Sequence, residues 1–230
     1  MDKIKSLIGI LQITDSFFPS GAFAYSWGLE TYVSEGRVKD MNGLVEFLRA
    51  YLAGMTRRCD ALAVKLCIEA AGAKDVQTVL RIDRLIHSMK LAGEMREGSM
   101  QTGRQLLKVM GLLHKSAMPE GFAQAVERGE APGHHPVVFA LVCNSLGAAR
   151  DEALAAYLYS AAAGIVSAGV RLIPIGHTEG QKVIEDIKPL LAGIAEEVLS
   201  LDEDDISAFA PGIEIGAMRH EHLYTRLFRS

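Results

Sequence analysis

Histidines and cysteines are the side chains of this sequence best suited to chemistry. Seven histidines include two close sets, His134-His135 and His220-x-His222, which could offer imidazoles to a metal ion. Helical positions i and i+2 point about 200° apart, so His220 and His222 converge only in an extended segment. Neighbouring rings such as His134 and His135 rarely reach one ion together. Loop ordering or surface exposure accounts better for both sets, and no metal site is expected. Cys59, Cys67 and Cys143 form no C-x-x-C pair. Their odd, sparse count fits a reducing compartment, and Cys59 and Cys67 read as small buried hydrophobes. No Gly-Lys-Ser/Thr triplet builds a phosphate cradle and no G-x-S-x-G elbow is present. His220-Glu221-His222 lacks the second histidine of an H-E-x-x-H zinc motif. No catalytic residue and no cofactor are therefore assigned. The competing enzyme reading is an all-α metal-dependent hydrolase that uses His134, His135 and nearby carboxylates.

Three segments are over-specified for plain packing. The first runs from Phe18 to Glu30 and reads, on packing alone, as a turn leading into a helix, with Phe23 and Trp27 directed inward at i, i+4. The second, Arg171 to Gln181, reads as a joint between helices, with Thr178 and Gln181 at capping-box spacing. The third, Met218 to Ser230, is basic and aromatic. In a helix, Leu223 with Leu227 and Tyr224 with Phe228 would form one broad apolar stripe. Terminal residues are commonly disordered unless held, and these four side chains are too apolar to be left in water. The tail is expected to be mobile or self-docked in the free protein and ordered against a partner.

The elements that must position these segments are helices. Apolar residues recur at helical spacing in 44–55, 76–89 and 183–198. Asp40 or Asn42 can cap the first of these stretches, Asp60 a helix running to Gly72, and Asp151 an alanine-rich helix ending near Arg171. Gly98, Gly103 and Gly111 lie within a helical period and imply a second backbone close by. Pro189 should kink or split its helix. The acidic run Asp202 to Asp205 reads as solvated charge. No alternating strand pattern and no linker occurs. The expected fold is all-α, a single-domain helical bundle of about eight to ten helices spanning residues 1–230. Residues 153–170 carry no charge and have the length of a membrane span. Their Ala, Gly and Ser content suits a helix buried on all sides of a bundle better, so no membrane is expected. Composition is ordinary for a globular chain, 49% hydrophobic and 23% charged. A net charge of −4 gives no reason to expect nucleic acid. The N-terminus lacks a convincing signal peptide, which makes the cytoplasm the expected location.

The three segments together resemble the UreF family of urease accessory proteins. The pattern P-x-G-A-F-x-x-S-x-G-L-E stands here as Pro19 to Glu30, and G-H-H-P as Gly133 to Pro136. R-L-x-P-x-G-Q-T-x-G-Q stands as Arg171 to Gln181, and H-E-x-x-Y-x-R-L-F-R-S as His220 to Ser230. His177 departs from the pattern's glutamine. The resemblance implies an all-helical, dimer-forming scaffold that is not an enzyme. It would join the accessory protein UreD (also called UreH), recruit the GTPase UreG, and act as a chaperone for nickel insertion into the urease apoprotein. It implies partner contacts at Tyr25, Trp27, Glu30, His177, Gln181, Tyr224, Arg226, Phe228 and Arg229.

Overall fold

The fold was described from a computed structural model, which covers residues 3–114 and 119–230. Among these the regular structure is helical and no strand occurs. In chain order the α-helices are α1 (Lys3–Thr14), α2 (Leu29–Ser34), α3 (Met41–Tyr51), α4 (Leu62–Gly72), α5 (Val76–Met89), α6 (Gly93–Leu113), α7 (Glu120–Glu127), α8 (His135–Ser145), α9 (Arg150–Leu172), α10 (His177–Ser200) and α11 (Pro211–His220). A π-helical stretch, Leu52–Ala61, joins α3 to α4 without a break.

The centre of the bundle is α8. Every side chain from Val137 to Cys143 is out of contact with solvent. The helix is apolar all round, as an element enclosed by others must be, and α4 and α6 pack along it. This role belongs to α8 and not, as the sequence suggested, to α9. Helix α9 buries Leu154, Tyr157, Leu158, Ala162 and Ile165 but leaves Ala155, Tyr159 and Ser167 exposed. By length and composition α9 could cross a bilayer, yet only half of its most apolar stretch is buried within the fold. The three cysteines are free and buried.

Helix starts follow local hydrogen bonding. Asp40 caps α3 by accepting from the Gly43 N–H at 2.9 Å. The other expected caps are corrected. Helix α9 begins at Arg150, and Glu152 rather than Asp151 accepts from the Ala149 N–H. Helix α10 begins at His177, where Glu179 accepts from the Gly176 N–H at 2.7 Å; Thr178 and Gln181 form no capping box. Pro189 leaves α10 continuous. Asp60 caps nothing. It lies in the π-helical stretch, buried, 2.7 Å from the equally buried Lys90 ammonium. A π turn widens the helix, and this one carries the carboxylate that Lys90 needs in the interior.

Gly103 answers the expected approach of a second backbone, whereas at Gly98 the close neighbour is a side chain. A Cβ on Gly98 would press into the Tyr25 ring at 2.7 Å, and one on Gly103 would collide with the Gly133 carbonyl. Gly111 has no neighbour that requires it. The acidic run is docked rather than merely solvated: Asp205 pairs with Arg58, and Glu203 with Arg81.

Candidate functional site

The tail, residues 221–230, is not helical, which corrects the expected stripe. α11 ends at His220, and the chain then turns back over the start of α2. Phe228 alone of the four apolar residues is buried, whereas Tyr224 and Leu227 stand in solvent. The tail is self-docked, one of the two states expected of it.

What holds it begins in the 20–30 segment. That segment is not the simple turn into a helix read from its sequence. Trp27 and Gly28 both adopt left-handed backbone, φ 57° and 89°. At Gly28 the conformation favours glycine, and α11 passes close by, with the Ile213 carbonyl 3.3 Å from where a Cβ would stand. Phe23 consequently points outward instead of packing at i, i+4 with Trp27. Trp27 is half-buried and stacks on Tyr25, their rings 5.2 Å apart.

The bend places Glu30, in the first turn of α2, beneath the tail. Glu30 Oε1 accepts from the Leu227 N–H at 2.6 Å, and Oε2 from the Phe228 N–H at 3.0 Å. The two chain segments also pair directly. The Ser26 N–H donates to the Ser230 carbonyl at 2.7 Å, and the Arg229 N–H to the Ala24 carbonyl at 2.8 Å. Tyr25 Oη donates to Gln101 Oε1 at 2.7 Å, and Arg229 Nη1 to the same oxygen at 3.3 Å. The Arg171 guanidinium lies 4.4 Å above the Phe228 ring and donates to the Phe23 carbonyl at 3.0 Å. This last pair of contacts brings the end of α9 onto the tail.

His220 is the hub. Its ring is fully buried, with Nε2 2.8 Å from Glu30 Oε2 and Nδ1 2.6 Å from Glu94 Oε2. Each ring nitrogen thus faces a carboxyl group of its own, one from α2 and one from α6. Glu94 also accepts from Arg226 Nη1 at 2.6 Å. Glu30 and Glu94 thus share His220, and the Arg226 cation stands beside Glu94. Such a closed set of charge-assisted hydrogen bonds is what permits ions in a buried place.

Of the nine residues expected to contact partners, Tyr25, Glu30, Arg226, Phe228 and Arg229 are built into this latch, and Trp27 stacks on its edge. Tyr224 stands above it in solvent. His177 and Gln181 lie exposed in the first turns of α10 and are not among the residues of the latch. Sequence reasoning missed His220, Glu94, Gln101 and Ser26. Their partners lie 76 to 204 residues away along the chain, beyond any helical period. The one available signal was His220 itself, a histidine beside an apolar tail.

The other histidine set occupies a different environment. His134 stands just before α8, and Asp83 of α5 accepts from the Gly133 and His134 N–H groups at 2.7 and 2.8 Å. His134 Nδ1 faces Ser99 Oγ at 3.1 Å and Nε2 faces His87 Nδ1 at 3.2 Å. Burial, with the Lys90 charge adding to it, holds the His134 pKa down at about 2, and burial holds His135 at about 4. Burial pushes Asp83 up to about 6, although its two backbone donors oppose that shift. Among the described residues no three His, Cys, Asp or Glu side chains converge as metal ligands.

Comparison with known proteins bears on the whole chain. The UreF family model matches residues 38–188. A urease accessory protein UreF of Lachnoclostridium phytofermentans is 35% identical over 224 residues, 97% of this chain and 98% of that protein. One from Bacillus sp. strain TB-90 is 33% identical over 99% of this chain and all of its own length. One from Paenarthrobacter aurescens is 35% identical over 97% of each.

Proposed function

The chain belongs to the UreF family, whose similar members are named urease accessory proteins, and from that premise we propose that it is a non-enzymatic scaffold for urease maturation. In this reading it acts in the cytoplasm as a homodimer. It joins the accessory protein UreD/UreH, recruits the GTPase UreG, and helps load nickel, the cargo, into urease apoprotein.

The observation that carries the reading is the latched tail. Tyr224 and Leu227 are held in solvent on a base of polar contacts that is buried at His220 and open at Arg226. An aromatic side chain presented on a fixed backbone is a good interface anchor, because little freedom remains to be lost on binding. Arg229 and the Tyr25–Trp27 stack continue that surface. The hydrolase alternative gains no support from His134, whose ring nitrogens face Ser99 and His87 and whose basicity burial removes. The test is co-purification of the full chain, and of a chain lacking residues 219–230, with UreD/UreH. Loss of capture with the helical core intact is the expected result. A truncated chain that captures UreD/UreH with full affinity would refute the tail as the contact.

A further inference from the structure

A cavity of about 60 Å³ lies in the bundle where the π-helical stretch meets α6, α8 and α9. On its inner side stand four buried polar residues, Asp60, Lys90, Ser99 and Thr102. Half-buried Ala22, Trp27 and Gly164 border the side nearer solvent. Cavities that stay empty inside proteins are apolar, and this one is not.

Its hydrogen-bonding groups do not satisfy one another. An ammonium carries three N–H donors. Lys90 Nζ lies 2.7 Å from Asp60 Oδ1, which engages one of them. Burial opposes the charge on Lys90, but the Asp60 carboxylate outweighs it and keeps the ammonium form. The Tyr157 hydroxyl bonds to the same carboxylate. Thr102 Oγ1 is buried and has no hydrogen-bond partner among the described residues. Burial holds the His135 pKa at about 4, so its ring is neutral at ordinary pH and adds one donor and one acceptor.

We propose that this cavity is a binding site for a cluster of roughly two to four ordered waters, which take the free N–H donors of Lys90 and pair the Thr102 hydroxyl. Three features select water over another occupant. The first is room. A bound water needs roughly 15 Å³ of such space and fills roughly 30 Å³ in the liquid. The second is charge. Lys90 and Asp60 are the only ionised groups on the wall and they cancel, so neither a cation nor an anion is favoured. The third is hydrogen bonding. Water both donates and accepts, whereas an apolar solute would leave the ammonium and the hydroxyl unpaired, which is costly in an interior. An ion pair taken out of water is stable only when its remaining donors are also met. The cluster is therefore the part of the Asp60–Lys90 site that the side chains do not supply.

The test counts long-lived waters in the full chain by deuteron magnetic relaxation dispersion, for wild type and for Gly164→Leu. A Cβ at Gly164 meets nothing within 4 Å, so a side chain there has room to enter the cavity. Wild type should hold roughly two to four more such waters than the variant. Trp27, the only tryptophan of the chain, should emit further to the blue once they are displaced. Thr102→Val gives a test of sign. Loss of a hydroxyl paired to water should lower Tm by about 1–5 °C, whereas loss of an unpaired one should raise it. Equal water counts in wild type and Gly164→Leu, or a Tm unchanged or raised in Thr102→Val, would overturn the proposal. Should either variant fail to fold, a crystal structure of the wild-type chain decides. Water density within hydrogen-bond reach of Lys90 Nζ and Thr102 Oγ1 supports the site, and a cavity without it removes the site.

Discussion

His134 and His220 are both fully buried, yet the groups that face their rings differ in kind. His134 faces a hydroxyl and another imidazole, while the nearest carboxylate, Asp83, is taken up by backbone N–H groups. Burial disfavours the charged form, and with no anion beside the ring to balance a bound proton it stays neutral in the fold. His220 sits between two carboxyl groups, from Glu30 and Glu94. The His134 turn fixes the start of α8, the innermost helix, so its hydrogen bonds are part of the core. The His220 latch lies at the edge and fastens a ten-residue segment together with the Ser26–Ser230 and Arg229–Ala24 backbone pairs. Burial of a histidine alone therefore does not identify its role; the groups facing its two nitrogens do.

Four experiments would break or sharpen that contrast. Asp83→Ala should have the largest effect. It strips the Gly133 and His134 N–H groups of their acceptor inside the core, each at a cost of about 1–3 kcal/mol. For a chain of this size that lowers Tm by roughly 4–20 °C in calorimetry. A change below 2 °C would show that the turn is not a core element.

Acid should act next and through the same turn. His134 and His135 stay neutral in the fold down to about 2 and 4, whereas the unfolded chain takes up protons near 6.5. The unfolded state therefore binds more protons, and stability falls as pH drops from 6.5 toward 4.5. Asp83 opposes part of this. Its pKa rises to about 6 in the fold, so between about 6 and 4 the folded chain holds the extra proton. Two rings outweigh one carboxyl, and denaturant midpoints should decline over that window. His134→Gln should flatten the decline; an equally steep profile would remove His134 as its source.

Glu30→Ala should spare the core and open the latch. It removes the acceptor for the Leu227 and Phe228 N–H groups and one partner of His220. Trypsin should then cut at Arg226 and Arg229 at least tenfold faster, with calorimetric Tm lowered by only a few degrees. Global unfolding instead would make the two histidine regions alike. The smallest effect on stability belongs to Tyr224→Ala, which removes an exposed ring and should shift stability by less than about 0.5 kcal/mol. The same substitution should weaken capture of UreD/UreH at least tenfold, and unchanged capture would locate the contact elsewhere.

Helices were legible wherever a stripe faced the interior, as in α5 and α10, because helical period and burial then coincide. The same logic misled at 223–228, where apolar spacing suggests a helix but the backbone N–H groups of Leu227 and Phe228 find a carboxylate instead. It also gave Asp60 a cap position, since an acidic residue before an apolar run reads as a helix start; its buried lysine partner lies thirty residues on. Glu30, Arg226 and Arg229 stood out from their motifs. Their meeting place did not, because His220 and Glu94 join them only once the bundle has formed.

The pairing of Ser26 with Ser230, 204 positions apart, has a consequence for synthesis. No surface made jointly by residues 20–30 and 220–230 exists on a growing chain until the second stretch has left the ribosome and the bundle between them has closed. A partner that reads this joint surface passes over nascent, truncated or misfolded copies without any separate inspection. The place where the two stretches meet thus exists only on copies in which both have been made and the bundle has closed.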